Sequence, residues 1–212
     1  MNKLLTELIG TFFLVFGIAT IVPTNSPIAP LIIGLGLAVM VYMGGPVSGA
    51  HYNPAVTLAV WLRGKISPNE ALAYMAVQIV GALAGAAAGL VLLNKTVAIA
   101  PGPGVHIGIA LLSEVIFTFA LALVVLNVAT TKQTANNSYY GFAIGMTVAV
   151  GAATVGPLSG GAFNPAVGLG LTIIATLKGA GLAHVWLYIV GPFAGAILAA
   201  MAFRAQHGTA AD

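Results

Sequence analysis

Six long apolar runs dominate the chain, and short polar or glycine-rich stretches separate them. The runs cover about residues 4–22, 28–45, 69–93, 107–130, 138–156 and 182–203. A helix needs roughly 20 predominantly apolar residues to cross the hydrocarbon core of a bilayer. The pattern therefore predicts an all-α membrane protein with six transmembrane helices.

Two shorter apolar segments interrupt this series, one in each half of the chain. They cover Val56 to Leu62 and Val167 to Thr176. At about 1.5 Å per residue, each segment would cross only about half of the hydrocarbon. Irregular backbone at that depth is tolerated only where it is buried in protein or lines a water-filled cavity. The segments therefore predict two re-entrant half-helices beside a polar path.

An Asn-Pro-Ala triplet precedes each short segment and has the features of a helix start. Asn is a favoured N-cap, and Pro fits the first turn because its missing N–H would have no intrahelical partner there. One triplet alone would be an ordinary helix start, but two in matching places predict one site that is built twice. The triplets are Asn53, Pro54, Ala55 and Asn164, Pro165, Ala166.

The two halves of the chain match each other at an offset of 110 or 111 residues, as Ser48-Gly49 and Ser159-Gly160 illustrate. An internal repeat with three spans in each half must be inverted across the membrane. We therefore expect a single domain over residues 1–212, with one repeat at about 1–93 and the other at about 107–205.

Composition narrows the class of protein. Hydrophobic residues make up 59% of the chain, charged residues only 5%, and the mean hydropathy is +1.05, which excludes a soluble domain. The absence of cysteine removes thiolate catalysis and cysteine-based metal sites, and the four histidines lack metal-ligand spacing. We expect no metal, no cofactor and no enzymatic activity, and the few basic residues do not indicate a nucleic-acid partner.

Lysine and arginine predict how the chain is oriented in the membrane. With a cytoplasmic N-terminus, five basic residues fall inside and two fall outside, as the positive-inside rule favours. The inside residues are Lys3, Arg63, Lys65, Lys132 and Arg204, and the outside residues are Lys95 and Lys178. We expect both termini in the cytoplasm and the protein in the inner or plasma membrane.

The paired asparagine caps supply chemistry for the polar path. The side-chain oxygen of a capping Asn accepts from backbone N–H groups, which leaves its NH2 group to donate into the path. The dipoles of two opposed half-helices add partial positive charge there, which repels cations and protons. The loops before the caps are expected to present backbone carbonyls to a permeating molecule, at Gly49, Ala50, His51, Gly160, Gly161 and Ala162.

Apart from Glu70 at the start of the third run, the acids within the predicted spans are Glu7 and Glu114. A carboxylate in a membrane is costly and is normally functional or paired. These acids either couple transport to protons or accept from N–H groups of the neighbouring loop. We favour loop bracing because both halves carry one acid, and we expect Gln78 to brace in the same way.

Two histidines have alternative interpretations. His51 stands two residues before the first capping Asn, where it either faces the path or braces the loop, and the sequence leaves both readings open. His106 stands at the outer end of the fourth run. An ordinary interfacial histidine is favoured there over a vestibule residue or a pH sensor.

The chain resembles the aquaporin (major intrinsic protein) superfamily over nearly its whole length. The segment from Ser48 to Thr57 is similar to the first family signature, and the helix motifs are matched by Glu7–Thr11, by Gln78 with Gly81-Ala82, and by Gly191-Pro192-Phe193 with Gly195-Ala196. The resemblance implies the aquaporin fold, with six helices and two re-entrant half-helices, a pore in each protomer and a homotetramer.

The chain departs from the family pattern at one place. The second family signature usually reads Asn-Pro-Ala-Arg, and its Arg lines a narrow outer filter, but Val167 occupies this place here. The resemblance puts the other three filter positions at Ile33, Ala152 and Gly161. This ring has no charge and no aromatic side chain, and it resembles the Val-bearing filters of some plant tonoplast channels, which argues against strict water selectivity.

We therefore expect a passive channel for water and small neutral solutes, with glycerol, urea, ammonia and hydrogen peroxide as candidates. An ion-coupled secondary transporter would also use an inverted repeat and broken helices, but it would need a coupling acid in the path. The third alternative is a non-conducting structural membrane protein, because an apolar constriction can close by dewetting.

Overall fold

A computed structural model describes residues 2–208 of the protein. Within this range all regular secondary structure is helical, and six helices are long and apolar enough to cross a membrane. The helices are α1 (Asn2–Ile21), α2 (Ala29–Ser48), α3 (Pro54–Leu62), α4 (Pro68–Leu93), α5 (Ile107–Thr130), α6 (Tyr140–Ser159), α7 (Pro165–Ala175) and α8 (Leu187–His207). The predicted fold class is confirmed. The predicted domain limits extend to residues 1 and 209–212, which lie outside the described range.

Helices α2 and α6 run three residues beyond their predicted ends, through Pro46 and Pro157. A proline removes one intrahelical hydrogen bond, but membrane helices tolerate this where neighbouring groups satisfy the freed backbone. Both helices end at a glycine in the left-handed region, with φ of 88° at Gly49 and 94° at Gly160. The two re-entrant loops therefore begin in the same way.

Helix α8 begins at Leu187, five residues later than predicted. The residues before it form turns, in which the N–H of Val185 donates to the carbonyl of Leu182 and that of Leu187 to His184. The apolar run was a poor guide here because its first residues lie on the exposed end of the molecule, where they need not be helical.

Glycines allow the helices of each half to approach closely. A Cβ added at Gly81 on α4 would lie 2.5 Å from the carbonyl oxygen of Leu8 on α1, and one at Gly195 on α8 would lie 2.5 Å from that of Val115 on α5. These contacts occupy equivalent places in the two repeats. The Gly-x-x-x-Gly spacing therefore serves helix packing.

The two halves interlock in the centre of the bundle. Helices α2 and α6 meet at Gly34, where an added Cβ would lie 2.5 Å from the carbonyl oxygen of Gly145. The half-helix α3 packs mainly against α8, and the half-helix α7 packs mainly against α4. Each half-helix is thus held by a long helix of the other repeat.

Large apolar side chains cover the outside of the long helices. Examples are Leu5, Phe13, Val80, Val91, Leu112, Ile116, Val150 and Leu198, all of which are exposed. Lipid tails solvate such a surface, whereas water does not. The protein is an integral membrane protein.

Candidate functional site: a path between the half-helices

Each half-helix begins at a capping asparagine. The Oδ1 atom of Asn53 accepts from the N–H of Ala55 at 2.8 Å, and that of Asn164 accepts from Ala166 at 2.9 Å and from Val167 at 3.4 Å. Both asparagines have extended backbone angles, as N-caps do. The positive ends of the α3 and α7 dipoles therefore point toward the middle of the molecule.

The amide groups of these asparagines also tie the two loops together. Asn53 Nδ2 donates to the carbonyl of Phe163 at 2.9 Å, and Asn164 Nδ2 donates to the carbonyl of Tyr52 at 2.9 Å. An amide NH2 has two hydrogens, so one hydrogen of each asparagine is used between the loops and one remains for the path. The NH2 groups were expected to donate into the path, and one hydrogen of each is in addition used to join the loops.

Tyr52 and Phe163, the residues that accept these bonds, adopt a left-handed backbone with φ of 49°. A non-glycine residue in this region costs on the order of 1–3 kcal/mol and persists only where its surroundings enforce it. Here the carbonyl is held by the opposite asparagine, and the N–H donates to Glu7 Oε2 at 2.8 Å or to Glu114 Oε2 at 2.7 Å. In each loop, both the backbone N–H and the backbone carbonyl of the left-handed residue are therefore hydrogen-bonded.

Glu7 collects donors from the first loop and from α4. Its Oε1 accepts from Ser48 Oγ at 2.6 Å and from the N–H of His51 at 3.0 Å. Its Oε2 accepts from the N–H of Tyr52 and from Gln78 Nε2, both at 2.8 Å. The carboxylate is fully buried and its acceptor sites are occupied by loop and helix donors.

Glu114 has the equivalent role in the second loop. It accepts from Ser159 Oγ at 2.7 Å, from the N–H of Ala162 at 3.1 Å and from that of Phe163. The hydroxyl of Tyr188 donates to the carbonyl of Ser159 at 2.5 Å, as that of Tyr74 donates to the carbonyl of Ser48 at 2.8 Å in the first half. The two halves therefore brace their loops alike, apart from the additional side-chain donor that Gln78 gives to Glu7.

A cavity of about 290 Å³ leads from one face of the molecule to the asparagine pair. Its described lining contains no Asp, Glu, Lys or Arg. The lining includes Asn53, Asn164, the four positions Ile33, Ala152, Gly161 and Val167, and the loop stretch 97–100. The site is mainly apolar, with a few polar groups at its deep end.

A second cavity, of about 640 Å³, enters from the other face. Lys3, Lys65 and Lys132 are part of its lining. Two residues, His51 and Val125, line both cavities. The cavities therefore adjoin one another at these two side chains.

The residues predicted for the path differ in where they lie. Of the expected carbonyl positions, Gly49 lines the second cavity, His51 lines both, and Ala50, Gly160, Gly161 and Ala162 line the first. The Pro and Ala of each triplet, Pro54, Ala55, Pro165 and Ala166, are buried and are absent from both linings. Pro and Ala thus form the helix starts, and the asparagines alone reach the cavities.

The histidine alternatives are resolved by geometry. His51 does both things that were considered, since its Nδ1 contacts Thr57 Oγ1 at 3.1 Å while the residue lines both cavities. His106 is exposed and caps α5, where its Nδ1 accepts from the N–H of Gly108 at 3.1 Å. His106 lies outside the linings of both cavities.

Two features of the site were missed from the sequence. Thr57 contacts both His51 and Gln78, and its position four residues after Asn53, one helical turn along, was the available signal. The loop stretch 97–100 folds into the first cavity, and Ile99 in it is only 7% exposed. Its run of apolar residues between two spans was unusual for a surface loop and could have indicated burial.

Paired half-helices that meet between two cavities in a membrane bundle define a channel-type membrane protein. The family described as Major intrinsic protein matches residues 1–203, and the chain belongs to this family. It is a family of passive transporters and not of enzymes.

Similar proteins agree with this assignment. The chain is 38% identical to the Glycerol uptake facilitator protein-like 6 of Lactiplantibacillus plantarum, over 96% of this chain and 97% of that protein. It is 36% identical to Aquaporin NIP1-1 of Oryza sativa subsp. japonica, over 96% of this chain and 74% of that protein. The structure of the aquaglyceroporin from Plasmodium falciparum superposes with a TM-score of 0.85 at 21% identity, covering 94% of this chain and 93% of that one, and so shares its fold.

Proposed function

We propose that the protein is a passive channel that conducts water and small neutral solutes, glycerol among them, through the two cavities. The observation that carries this proposal is the adjoining of the cavities at His51 and Val125, directly beside the asparagine pair. Two similar proteins are called a glycerol uptake facilitator and an aquaporin. Urea, ammonia and hydrogen peroxide are further candidate solutes.

The exclusion of cations and protons is assigned to the centre of the path. One N–H of each capping asparagine remains available there, and the positive ends of two half-helices converge on the same place. A cation that loses its hydration shell at this point meets donors and no anionic side chain among the described lining. A neutral molecule with an acceptor oxygen is stabilised by the same donors.

The selection of solutes by size is assigned to the proposed filter ring, which consists of Ile33, Ala152, Gly161 and Val167. All four line the first cavity. Val167 offers no charged donor, and Ala152 and Gly161 are very small. Such a ring leaves room for molecules bulkier than water and should favour solutes with some apolar surface, as glycerol has.

The topology and assembly belong to the same proposal. Lys3, Lys65 and Lys132 line one cavity, so they share a face of the molecule, and the positive-inside rule makes this face cytoplasmic. Both termini then lie inside, in an inner or plasma membrane. We expect four protomers to assemble, each with its own path, and the exposed apolar surfaces of the long helices can support this lateral packing.

The two alternative functions receive less support. A secondary transporter would need a coupling acid on the path, but Glu7 and Glu114 are fully buried, are engaged by loop donors and line neither cavity. A closed structural protein has no use for cavities that enter from both faces. Both alternatives make distinct predictions in a transport assay.

The test is solute efflux from proteoliposomes at several temperatures, with protein-free vesicles as the control. A channel gives water and glycerol fluxes above the control with a low activation energy, because no conformational cycle is needed. Saturable, ion-dependent uptake would indicate a carrier. Fluxes equal to those of protein-free vesicles would leave a structural role and overturn the proposal.

A further inference from the structure

The side chain of His51 stands where the two cavities meet, and the two nitrogens of its ring have different surroundings. Nδ1 lies 3.1 Å from Thr57 Oγ1. Nε2 has no hydrogen-bond partner among the described residues and keeps some accessible surface, and His51 lines both cavities. The ring also packs edge-on against Tyr74, with 5.2 Å between centroids. A neutral imidazole carries one N–H. The position of this proton therefore decides whether Nε2 is a donor or an acceptor toward a molecule in the path.

The neighbouring hydrogen bonds settle which nitrogen this is, beginning at Glu7. The carboxylate only accepts, and Gln78 Nε2 lies 2.8 Å from its Oε2, so the amide of Gln78 must point its nitrogen toward Glu7. The second hydrogen of the same nitrogen is directed at Thr57 Oγ1, 3.0 Å away. Thr57 is therefore an acceptor toward Gln78.

The hydroxyl hydrogen of Thr57 has its own destination. Thr57 Oγ1 lies 3.0 Å from the carbonyl oxygen of Asn53, which can only accept. The two oxygens make a favourable contact only if the hydroxyl donates there. Gln78 Oε1, at 3.5 Å, is too distant to compete. Because the one hydrogen of Thr57 is used on Asn53, its contact with His51 Nδ1 must be a bond that Thr57 accepts.

We infer that Thr57 and Gln78 are positioning residues that hold neutral His51 with its proton on Nδ1 and present the bare Nε2 to the path as an acceptor. A molecule that travels between the cavities then meets donors at Asn53 and Asn164 and an acceptor at His51. This sequence suits solutes that carry both kinds of group, such as water, polyols and amides. The effect on transport rests on the proposed function, whereas the position of the proton does not.

The second half of the chain does not repeat this arrangement. The places equivalent to His51 and Thr57, 111 residues later, hold Ala162 and Gly168. Ala162 lines the first cavity but has no polar side-chain atom. The side-chain acceptor thus belongs to one side of the asparagine pair only, and it gives the path a chemical direction that the repeat alone would lack.

The position of the proton can be measured directly by solid-state NMR on protein labelled with 15N-histidine in proteoliposomes, at a pH where the ring is neutral. The His51 signals are identified by their loss in a His51→Asn variant. We expect the directly bonded hydrogen on Nδ1 and an unprotonated Nε2. A proton found on Nε2 in the wild type overturns the inference, whatever the variants do.

The role of the positioning residues is tested with Thr57→Ser and Thr57→Val. Serine keeps the hydroxyl and should keep the proton on Nδ1, whereas valine keeps the shape, removes the acceptor and should give a mixture of both forms. If Thr57→Val does not fold, Thr57→Ala provides the same comparison, because it removes the same hydroxyl. Identical proton positions in all folded variants would refute the positioning role.

Flux measurements separate this inference from the proposed function. Loss of one acceptor in the path should lower glycerol permeability by roughly two- to tenfold in Thr57→Val, as expected for one hydrogen bond, with Thr57→Ser close to the wild type. Vesicles that show the expected proton position but no flux would contradict the channel and leave the inference intact. Normal flux with a proton on Nε2 would support the channel and overturn the inference.

Discussion

Val167 stands where the second family signature usually has Arg. Its side chain is 3% exposed and lines the first cavity, and its N–H donates to the capping oxygen of Asn164. The backbone at this place therefore belongs to the cap whichever side chain is present. Exchanging the side chain should change what passes the proposed filter ring without disturbing the start of α7.

The first prediction is that Val167→Arg lowers the ratio of glycerol to water permeability. The long side chain should fill the opening, and hydrogen bonds from a charged donor are worth about 1.5–3 kcal/mol each. Ala152 and Gly161 leave space for it, and Ile33 gives it no polar partner. The ratio is measured in the same vesicles for wild type, Val167→Arg and the uncharged control Val167→Met.

Met separates the effect of length from the effect of charge. A larger fall for Arg than for Met assigns the selectivity to the charged donor. If the Arg variant folds, conducts water and keeps the wild-type ratio, the proposed filter ring is not the constriction of this channel.

The second prediction concerns the capping asparagines. Asn53→Asp or Asn164→Asp keeps the capping oxygen but exchanges the amide donors for a negative charge, which then faces the carbonyl of Phe163 or Tyr52. Cation leak through the protein should rise, and the tie between the loops should weaken. The measurement is conductance in planar bilayers or cation efflux from vesicles.

Asn94→Asp is the matched control for these variants. It makes the same change of charge at the exposed end of α4, where Asn94 accepts from Lys178 at 2.7 Å, away from both cavities. Cation leak should remain at the wild-type level in this control. Equal leak in all three variants would place the cation barrier elsewhere.

At the scale of helices, the closest contact between the two repeats lies where α2 crosses α6. An added Cβ at Gly34 would lie 2.5 Å from the carbonyl oxygen of Gly145 and 2.6 Å from the Cβ of Ala149. A backbone oxygen cannot move aside as a flexible side chain can. The two helices would have to separate to accommodate even one methyl group.

The third prediction follows from this contact. Gly34→Ala should lower the free energy of unfolding by about 1–3 kcal/mol, the usual cost of overpacking. Gly36, two residues along the same helix, has nothing within 4 Å of an added Cβ, so Gly36→Ala should raise stability by about 0.5–1 kcal/mol through helix propensity. Thermal unfolding in detergent compares the two variants, and changes of the same sign would contradict this account of the packing.

Element by element, the sequence predicted what depends on local patterns. The half-helices were visible because Asn and Pro at a helix start have a local physical reason, and Glu7 and Glu114 drew attention because buried charge is costly. The hydrogen bonds that join Asn53 to Phe163 and Asn164 to Tyr52 were not visible. They connect groups brought together by packing, and no spacing along the chain encodes them.

The loop between α4 and α5 illustrates the same limit. Irregular segments have no period, so the apolar character of residues 97–100 could suggest burial but not its place. Ile99 settles beside Gly160, where an added Cβ would lie 2.5 Å from its Cγ2 atom. That contact required the fold of both repeats before it could be recognised.

The fourth prediction belongs to the whole molecule. Wild-type vesicles should bring a neutral solute to equal concentrations on both sides, with or without a proton gradient, because the buried acids Glu7 and Glu114 are bound to the loops and line neither cavity. Radiolabelled glycerol measures the distribution at equilibrium. Accumulation above the external concentration under a proton gradient would contradict the prediction and favour a transporter.

The hydrogen bonds by which Asn53 and Asn164 join the two loops also affect the rate of transport. A carrier that exposes its site to one side at a time must rock its halves apart, and here each such stroke would break both loop ties and pull α3 from α8 and α7 from α4. Because the two halves are hydrogen-bonded to each other at the centre, both cavities stay open to their sides of the membrane at the same time. The flux is then limited by diffusion of molecules along the path and rises in proportion to the difference in concentration. Because no conformational cycle is needed, the protein has no turnover number.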